Sequence, residues 1–290
     1  MIVITGAAGF IGSYLCRKLN FHGIKNIILV DDFIQERKRK NWENLDYTDK
    51  IQREHFFYWA EKNVQHIDFI FHLGARTDVF STDSDIFEAL NVDFSQRIWS
   101  FATHKGIPFV YASSYLTNDV RHLSLFAKSK YIFDKWTDKQ QQTPPFWAGL
   151  KFFQVYGRNE AHKAKNASEV YKIYQKYINF TFSDNNVTKS IIQDYIYVND
   201  VTKVLYYFLN HAPQSGIYEV GTGFARPLHA IVEAMNKVAK DKYNKLQVTS
   251  YKLQEESFVF QADLTLLRKY AYKQAFLSLE QGIKSMFYKY

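Results

Sequence analysis

Three glycines stand at positions 6, 9 and 12 in the stretch TGAAGFIG, between an apolar run and a helical pattern. Gly6 would make the tight turn that leaves a strand, Gly9 would let the backbone approach a pyrophosphate, and Gly12 would let helix and strand pack closely. The N–H groups at the positive end of the helix would hold the pyrophosphate charge. The stretch therefore predicts a dinucleotide site, with a purely structural glycine turn as the alternative.

Charged residues follow the next apolar run. Asp31 and Asp32 end that run, and Asp31 lies 19 residues beyond Gly12. An acid at this place hydrogen-bonds the adenosine ribose and favours NAD. The basic run RKRK at 37–40 could instead hold a 2′-phosphate, which would favour NADP, or it could be a solvated loop. Both cofactors stay open at this point.

Short apolar runs alternate with helical patterns and would form the scaffold for these groups. Strands are predicted at 1–5, 26–32, 67–75, 108–114, 146–157 and 216–223, a strand and helix at 194–211, and helices at 85–105, from 122, near 167–178 and at 227–240. This alternation predicts an α/β fold, a Rossmann-type doubly wound parallel sheet with a smaller C-terminal substrate-binding lobe. We expect residues 1–157 to form the dinucleotide-binding domain, with 194–211 returning to it. Residues 158–193 and 212–290 would form the smaller lobe.

The composition limits the class of protein. With 290 residues, of which 47% are hydrophobic, the chain can bury one large core or two joined cores. The net charge of +8 suits an anionic ligand or reflects compositional drift, and is too weak a basis for expecting nucleic-acid binding. The single cysteine, Cys16, excludes an intrachain disulfide, and no run reaches the ~18 apolar residues of a membrane helix. We therefore expect a cytoplasmic protein with no membrane partner and no metal site.

The order of motifs resembles a known family. TGxxGFIG, VDD, FHLGA, an asparagine that opens a helix (Asn91), YASS and a lysine at a helix start (Lys130) follow one another, as in the extended short-chain dehydrogenase/reductases. Residues 152–168, 193–201, 215–225 and 261–268 are similar to the ADP-L-glycero-D-manno-heptose 6-epimerases within that family. The EAHK stretch after VYG is characteristic of them, and the resemblance covers essentially the whole chain.

The resemblance implies an isomerase of nucleotide-sugar metabolism in lipopolysaccharide core biosynthesis. Its substrate would be ADP-heptose and its cofactor NADP, or alternatively NAD. It also implies a ring-like homo-oligomer, of which a pentamer is one form. The implied cofactor-binding residues are Gly6, Gly9, Phe10, Ile11, Gly12, Asp31, Asp32, Lys38, Arg53, Leu73, Gly74, Ala75, Arg76, Asn91, Lys130 and Lys163. The implied catalytic positions are Ser114, Phe126, Lys130 and Lys163. The implied substrate-binding residues are Ser114, Gln154, Val155, Lys165, Lys172 and Gln193.

Position 126 departs from the family, which has a tyrosine four residues before the lysine. The family's reaction oxidises the sugar C6″ hydroxyl transiently and returns the same hydride with inverted configuration. One group must take a proton and another must supply one. A phenol, whose pKa is about 10, is brought toward working pH by the neighbouring cations. Phe126 keeps the ring and loses the proton, so we expect cofactor binding to persist and the redox step to slow by about 10²–10⁴-fold.

Other departures lie on the substrate side. Ser114 and Phe126 are 12 residues apart, which makes this loop shorter than in the family. Gln154 and Gln193 replace a family asparagine and a substrate-binding arginine. Two alternatives therefore stand beside a heptose epimerase: another nucleotide-sugar epimerase or dehydratase, and a non-catalytic dinucleotide-binding homologue. Lys163 could also be a solvated lysine in a basic loop.

Overall fold

A computed structural model describes residues 1–119, 123–179, 192–243 and 258–288. Its strands are β1 (Ile2–Thr5), β2 (Ile27–Asp31), β3 (Asp49–Gln52), β4 (Phe69–His72), β5 (Phe109–Ser114), β6 (Trp147–Phe152), β7 (Gln154–Tyr156), β8 (Ile192–Tyr197), β9 (Gly216–Val220), β10 (Ala225–Pro227) and β11 (Val259–Phe260). Its α-helices are α1 (Phe10–Phe21), α2 (Arg39–Trp42), α3 (Phe56–Asn63), α4 (Ser84–Phe87), α5 (Phe94–Lys105), α6 (Leu125–Thr137), α7 (Glu169–Ile178), α8 (Val198–His211), α9 (Leu228–Tyr243), α10 (Thr265–Tyr270) and α11 (Leu279–Phe287). A π-helical turn, Glu88–Asp93, joins α4 to α5, and a 3-10 helix, Ala161–Asn166, precedes α7.

The larger sheet has seven strands in the order β3-β2-β1-β4-β5-β6-β9, and all of its pairs are parallel. β1 lies between β2 and β4, so the chain leaves β1 in one direction and later returns to its other side. Ligands of open parallel sheets bind at such a switch point, outside the carboxyl ends of the strands. The predicted Rossmann-type α/β fold is confirmed.

Helices cover both faces of this sheet, as its apolar strands require. On one face, α1 and α8 pack together and bury Leu15, Leu19 and Val204. On the other, Trp99 of α5 and Phe133 of α6 lie in a second buried cluster. Removing these side chains from water supplies the main driving force for the domain. It also fixes the strand ends that carry the predicted site.

The smaller sheet is built around β8. β7 and β11 pair with β8 in parallel, and β10 pairs with it antiparallel. Helices α7, α9 and α11 pack over it and bury Val170, Ile231 and Ile283. Because β7 directly follows β6 in the chain, the smaller sheet adjoins the large sheet at the carboxyl end of β6.

Two segments predicted as strands belong to different sheets from those expected. The strand expected at 146–157 is divided between the two sheets at Phe153, whose N–H donates to the Val220 carbonyl at 3.0 Å and whose ring stacks on Tyr115. The segment Gly216–Val220, assigned to the smaller lobe, pairs with β6 as the last strand of the large sheet. Both segments are β-rich, and the hydrophobic pattern specifies a strand without specifying which sheet edge it covers.

Candidate active site

The glycine loop lies at the end of β1, against the loop that follows β4. Gly6 has a φ of +70°, and a Cβ there would lie 2.5 Å from the Gly74 Cα. A Cβ on Gly12 would lie 2.3 Å from the Gly6 carbonyl oxygen. Gly9 is the N-cap of the 12-residue helix α1, and no side chain caps this end. The bare, close-packed loop and the uncapped N–H groups fit a dinucleotide pyrophosphate.

The acid after β2 is joined to both the glycine loop and the basic run. The Asp31 carboxylate accepts from the Ala8 N–H at 2.9 Å and from the Lys38 ammonium at 2.8 Å. Asp32 accepts from the Gln35 amide at 2.6 Å, and this hydrogen bond lowers the pKa of the Asp32 carboxyl. The charge of Arg53 acts in the same direction. The structure thus brings together all four residues predicted at the adenosine ribose and phosphate, namely Asp31, Asp32, Lys38 and Arg53.

Asn91 holds the loop that follows β4. Its Oδ1 accepts from the Arg76 N–H at 2.7 Å, and its Nδ2 donates to the Arg76 carbonyl at 2.9 Å and to the Ser129 hydroxyl at 2.9 Å. Asn91 is fully buried in the π-helical turn, a local widening often found at functional sites. The buried Nε of Arg76 has no partner among the described residues, which leaves a donor that a ligand could satisfy.

A buried histidine supports the same loop from below. His72 at the end of β4 lies 2.7 Å from the Thr5 hydroxyl and 2.8 Å from the Ser95 hydroxyl. Burial, with a smaller effect of the Lys130 charge, lowers the pKa of His72 to about 3. His72 is therefore neutral near pH 7 and links three elements around the site. No role was predicted for His72, which lies within the FHLGA motif.

The predicted catalytic residues Ser114, Phe126 and Lys130 lie at the end of β5 and in the first turns of α6. The Lys130 side chain is buried, and its ammonium donates to the Ala112 carbonyl at 2.8 Å. Burial lowers the pKa of Lys130 to about 8. Half-buried Phe126 lies one turn earlier on the helix, so the two side chains share a face. Ser114 is buried, and its hydroxyl accepts from the Leu116 N–H at 3.3 Å.

Two tyrosines lie near position 126, and both are poorly suited to exchange a proton there. Tyr115 is buried against Phe153, and its hydroxyl accepts from the Gln154 amide at 2.7 Å. Burial raises the pKa of Tyr115 to about 12, so its proton is held tightly near neutral pH. Tyr131 lies one residue after Lys130 and therefore points about 100° away around the helix.

The EAHK stretch lies in a loop between β7 and α7, and this loop contacts the glycine loop. The Lys163 ammonium lies 2.9 Å from the Glu160 carboxylate and 4.8 Å from the centre of the Phe10 ring. Asn41 donates to the Ala8 carbonyl at 3.0 Å and to His162 Nδ1 at 3.1 Å. Lys163 is therefore held beside the helix end that fits the pyrophosphate.

Three residues of this contact have no role in the sequence prediction: Glu160, Asn41 and His162. Burial lowers the pKa of His162 to about 4, helped by the charges of Lys163, Lys38 and Arg37. The positive charges of Lys38 and Arg37 in the basic run and of Lys163 in the EAHK loop therefore all lie close to the His162 imidazole. The EAHK motif was the only available signal, because nothing in the sequence relates Asn41 to a residue 121 positions away.

The predicted substrate residues are only partly brought together. Lys165 lies over the Phe80 ring at 4.5 Å, next to the loop that carries Arg76. Gln154 and Val155 lie on β7, opposite Tyr195 and Ile196 of β8. Gln193 is on the same strand, opposite Arg226 and Phe260. Lys172 instead pairs with Glu169 at 2.8 Å on the surface of α7, and no described contact joins it to the other site residues.

Within residues 1–119, 123–179, 192–243 and 258–288, no helix is both long and apolar enough to span a bilayer. The same ranges hold no group of three or more His, Cys, Asp or Glu side chains placed to bind a metal ion.

The chain is similar to known proteins over nearly its whole length. The sequence model of the NAD dependent epimerase/dehydratase family matches residues 2–221. ADP-L-glycero-D-manno-heptose-6-epimerase from Fusobacterium nucleatum is 32% identical over 324 residues, covering 100% of this chain and 98% of the relative. The crystal structure of the Helicobacter pylori enzyme of that name has a TM-score of 0.79 at 23% identity and covers 99% of this chain and 94% of that one.

A second solved structure is similar in fold. It is a tyrosine-to-phenylalanine mutant of UDP-glucuronic acid 4-epimerase from Bacillus cereus, in complex with a fluorinated UDP-sugar and NAD. It has a TM-score of 0.77 at 18% identity and covers 99% of this chain and 97% of that one. At this identity the likeness concerns the fold. The family match and the full-length heptose epimerase relative agree with the resemblance predicted from the motifs, and the chain belongs to the NAD dependent epimerase/dehydratase family.

Proposed function

We propose that this chain interconverts ADP-D-glycero- and ADP-L-glycero-D-manno-heptose at C6″ with a tightly bound nicotinamide cofactor, and that Phe126 slows the reaction. The full-length relative named as a heptose epimerase supports the substrate. The observation that carries the proposal is the Lys163 ammonium, 4.8 Å from the Phe10 ring at the start of α1. This contact supports a role for the loop characteristic of heptose epimerases at the end of the sheet where the cofactor is proposed to bind.

Each side chain has a separate part in the proposed reaction. The bound nicotinamide supplies the hydride acceptor and, later, the hydride donor. Ser114 hydrogen-bonds the reacting oxygen, and Lys163 exchanges a proton with it from the side of the smaller lobe. Lys130 supplies positive charge under the site. Phe126 packs against the substrate without exchanging a proton, so one of the two required proton transfers has no side chain and proceeds more slowly through water.

We infer that the cofactor is NADP. Asp31 already accepts from Ala8 and Lys38, so its negative charge is compensated where a 2′-phosphate would lie. Mass spectrometry of the nucleotide released from denatured protein tests this directly. Lys38→Met is expected to weaken NADP⁺ binding by about tenfold or more and NAD⁺ binding much less. Lys40→Met, in the same basic run, is the matched control. Equal losses for both cofactors would contradict an NADP preference.

The activity test uses ADP-D-glycero-D-manno-heptose and proton NMR at C6″. The chain is expected to invert C6″ slowly, and Lys163→Met is expected to slow the inversion by a further factor of about 10²–10⁴. UDP-glucose supplied under the same conditions is expected to remain unchanged. Turnover of UDP-glucose without turnover of the heptose would replace the heptose proposal by another nucleotide-sugar reaction.

Phe126 also favours a second candidate function, a dinucleotide-binding protein without turnover. It predicts that NADP⁺ or NAD⁺ binds and that no sugar nucleotide is epimerised even after Phe126→Tyr. Inversion of C6″ by Phe126→Tyr would exclude it.

We also propose that the nucleotide sugar contacts residues of the smaller sheet and that the chain forms a homo-oligomer. Gln154 and Gln193 are expected to contact the nucleotide sugar, and Lys172 contributes less because its ammonium already pairs with Glu169. Substitution of Gln193 by alanine should raise KM several-fold, whereas substitution of Lys172 should leave KM nearly unchanged. Analytical ultracentrifugation tests the homo-oligomer, including a pentamer.

A further inference from the structure

Glu160 is a fully buried carboxylate in the loop between β7 and α7. A buried carboxylate is strongly unfavourable unless its oxygens are paired. Here Oε1 accepts from the Gly157 N–H at 3.1 Å and from the Ser168 hydroxyl at 2.7 Å. Oε2 accepts from the Ser168 N–H at 2.8 Å and from the Lys163 ammonium at 2.9 Å. Four donors therefore compensate one charge.

These four donors come from both ends and the middle of one segment. Gly157 directly follows β7, and Ser168 is the N-cap of α7, where its hydroxyl accepts from the Tyr171 N–H. Because both residues donate to one carboxylate, Glu160 closes residues 157–168 into a compact loop. Lys163 lies near the middle of this loop, so the loop's shape decides where its ammonium lies.

Hydrogen bonds join the closed loop to the cofactor side at His162 and at Asn166. His162 accepts from Asn41 near the glycine loop, and Asn166 donates to Asp78 beside the loop after β4 at 3.1 Å. Between these points, the Lys163 ammonium has Glu160 as its only described carboxylate partner. A side chain as flexible as lysine needs such a partner to stay in one place.

We propose that Glu160 is a positioning residue that closes the loop of residues 157–168 and holds the Lys163 ammonium beside Phe10. The inference rests on the proposed function of Lys163 in proton exchange. It assigns to the glutamate of EAHK a task distinct from that of the lysine. Glu160 is fully buried, so it would act on the sugar only through Lys163.

The first test measures the reactivity of Lys163 with an acetylating reagent by peptide mass spectrometry and needs no turnover. Glu160→Gln is expected to increase the acetylation rate of Lys163 several-fold, because the side chain loses the carboxylate that holds it against Phe10 and reaches the reagent more freely. Glu61→Gln is the matched control, since Glu61 forms an exposed pair with Lys105 at the same distance of 2.9 Å. It should leave the acetylation of Lys163 unchanged. A rate within about twofold of the parent in folded Glu160→Gln protein would overturn the proposal.

Glu160→Gln could prevent folding, which circular dichroism and thermal melting would reveal. Glu160→Asp then replaces it, because it keeps the charge and shortens the side chain by one methylene. The proposal expects faster acetylation of Lys163 in this variant too, and an unchanged rate would contradict it.

The second test separates positioning from general support of the fold. In the Phe126→Tyr background, kcat is measured for Glu160→Gln, Lys163→Met and the double variant. If Glu160 acts through Lys163, the double variant loses no more than Lys163→Met alone. Multiplied losses would overturn the proposal. A chain that never epimerises the heptose would contradict the proposed function, whereas the acetylation result would still decide the role of Glu160.

Discussion

The Lys130 ammonium donates to the Ala112 carbonyl oxygen across 2.8 Å and thereby joins the helix of Phe126 to the strand of Ser114. Lys130 is 3% exposed, so its position is fixed by the fold and does not depend on a phenol at position 126. In the proposed function, Lys130 and Phe126 occupy the positions of a lysine–tyrosine dyad, with phenylalanine in place of the tyrosine.

Restoring the tyrosine hydroxyl should restore the proton transfer. Phe126→Tyr is expected to raise kcat for C6″ inversion by about 10²–10⁴-fold, the usual contribution of a general acid–base group. Steady-state NMR or chromatographic assays measure the change. Phe21→Tyr, at a position that is 81% exposed on α1, is the control and should leave kcat unchanged. No gain from Phe126→Tyr would mean that the rest of the site no longer supports this reaction.

The ionisation of Lys130 should make stability depend on alkaline pH. Burial lowers its pKa in the folded chain to about 8 from an ordinary 10.5, so the unfolded chain binds more protons between these values. The free energy of unfolding therefore rises with pH in that window, and the unfavourable effect of the buried charge is complete below pH 8. Between pH 7.5 and 9.5 the parent should gain about 2 kcal/mol relative to Lys130→Met.

Urea denaturation of both proteins at several pH values measures this difference in the free energy of unfolding. Groups that titrate equally in the two proteins do not contribute to it. A difference that stays constant from pH 7.5 to 9.5 would contradict a lowered pKa for Lys130.

Asn41 should contribute to cofactor affinity without touching the cofactor's reactive part. Asn41→Ala removes the hydrogen bonds to the Ala8 carbonyl and to His162, each worth about 1 kcal/mol. We expect the glycine loop to loosen and the Kd for the preferred nicotinamide cofactor to rise by about tenfold, as measured by calorimetry. Asn63→Ala is the control, since Asn63 donates to the Trp59 carbonyl at 2.8 Å, away from the site. An equal effect of both variants would show that the loss is not local.

Ala164 carries backbone strain between Lys163 and Lys165. Its φ of 48° and ψ of −120° lie in a region that favours glycine. Ala164→Gly is therefore expected to raise the free energy of unfolding by about 1 kcal/mol, as measured by chemical denaturation. Ala161→Gly, in the same 3-10 helix and without a positive φ, should lower it by about 0.5–1 kcal/mol. A loss of stability in Ala164→Gly would mean that the methyl group is needed there.

Much of the fold could be predicted because its signals are local. The glycine loop, the apolar strands and the helical patterns each depend on neighbouring residues, and their order specifies a parallel sheet with a dinucleotide site at its carboxyl end. The motif order also predicted the family correctly. The offset between Phe126 and Lys130 is likewise a property of the sequence, since residues four apart share a helix face.

The tertiary structure alone decided the contacts between distant segments. The division of 146–157 between two sheets and the position of β9 depend on which sheet edge is free, and local patterning carries no such information. The same holds for Asn41 with His162 and for Asn91 with Ser129, where short polar side chains meet across long stretches of chain. The buried environment of Lys130, which sets its pKa, exists only once α6 packs on β5. The sequence by itself therefore determined which residues are available for chemistry, and the packing determined their partners and their charge.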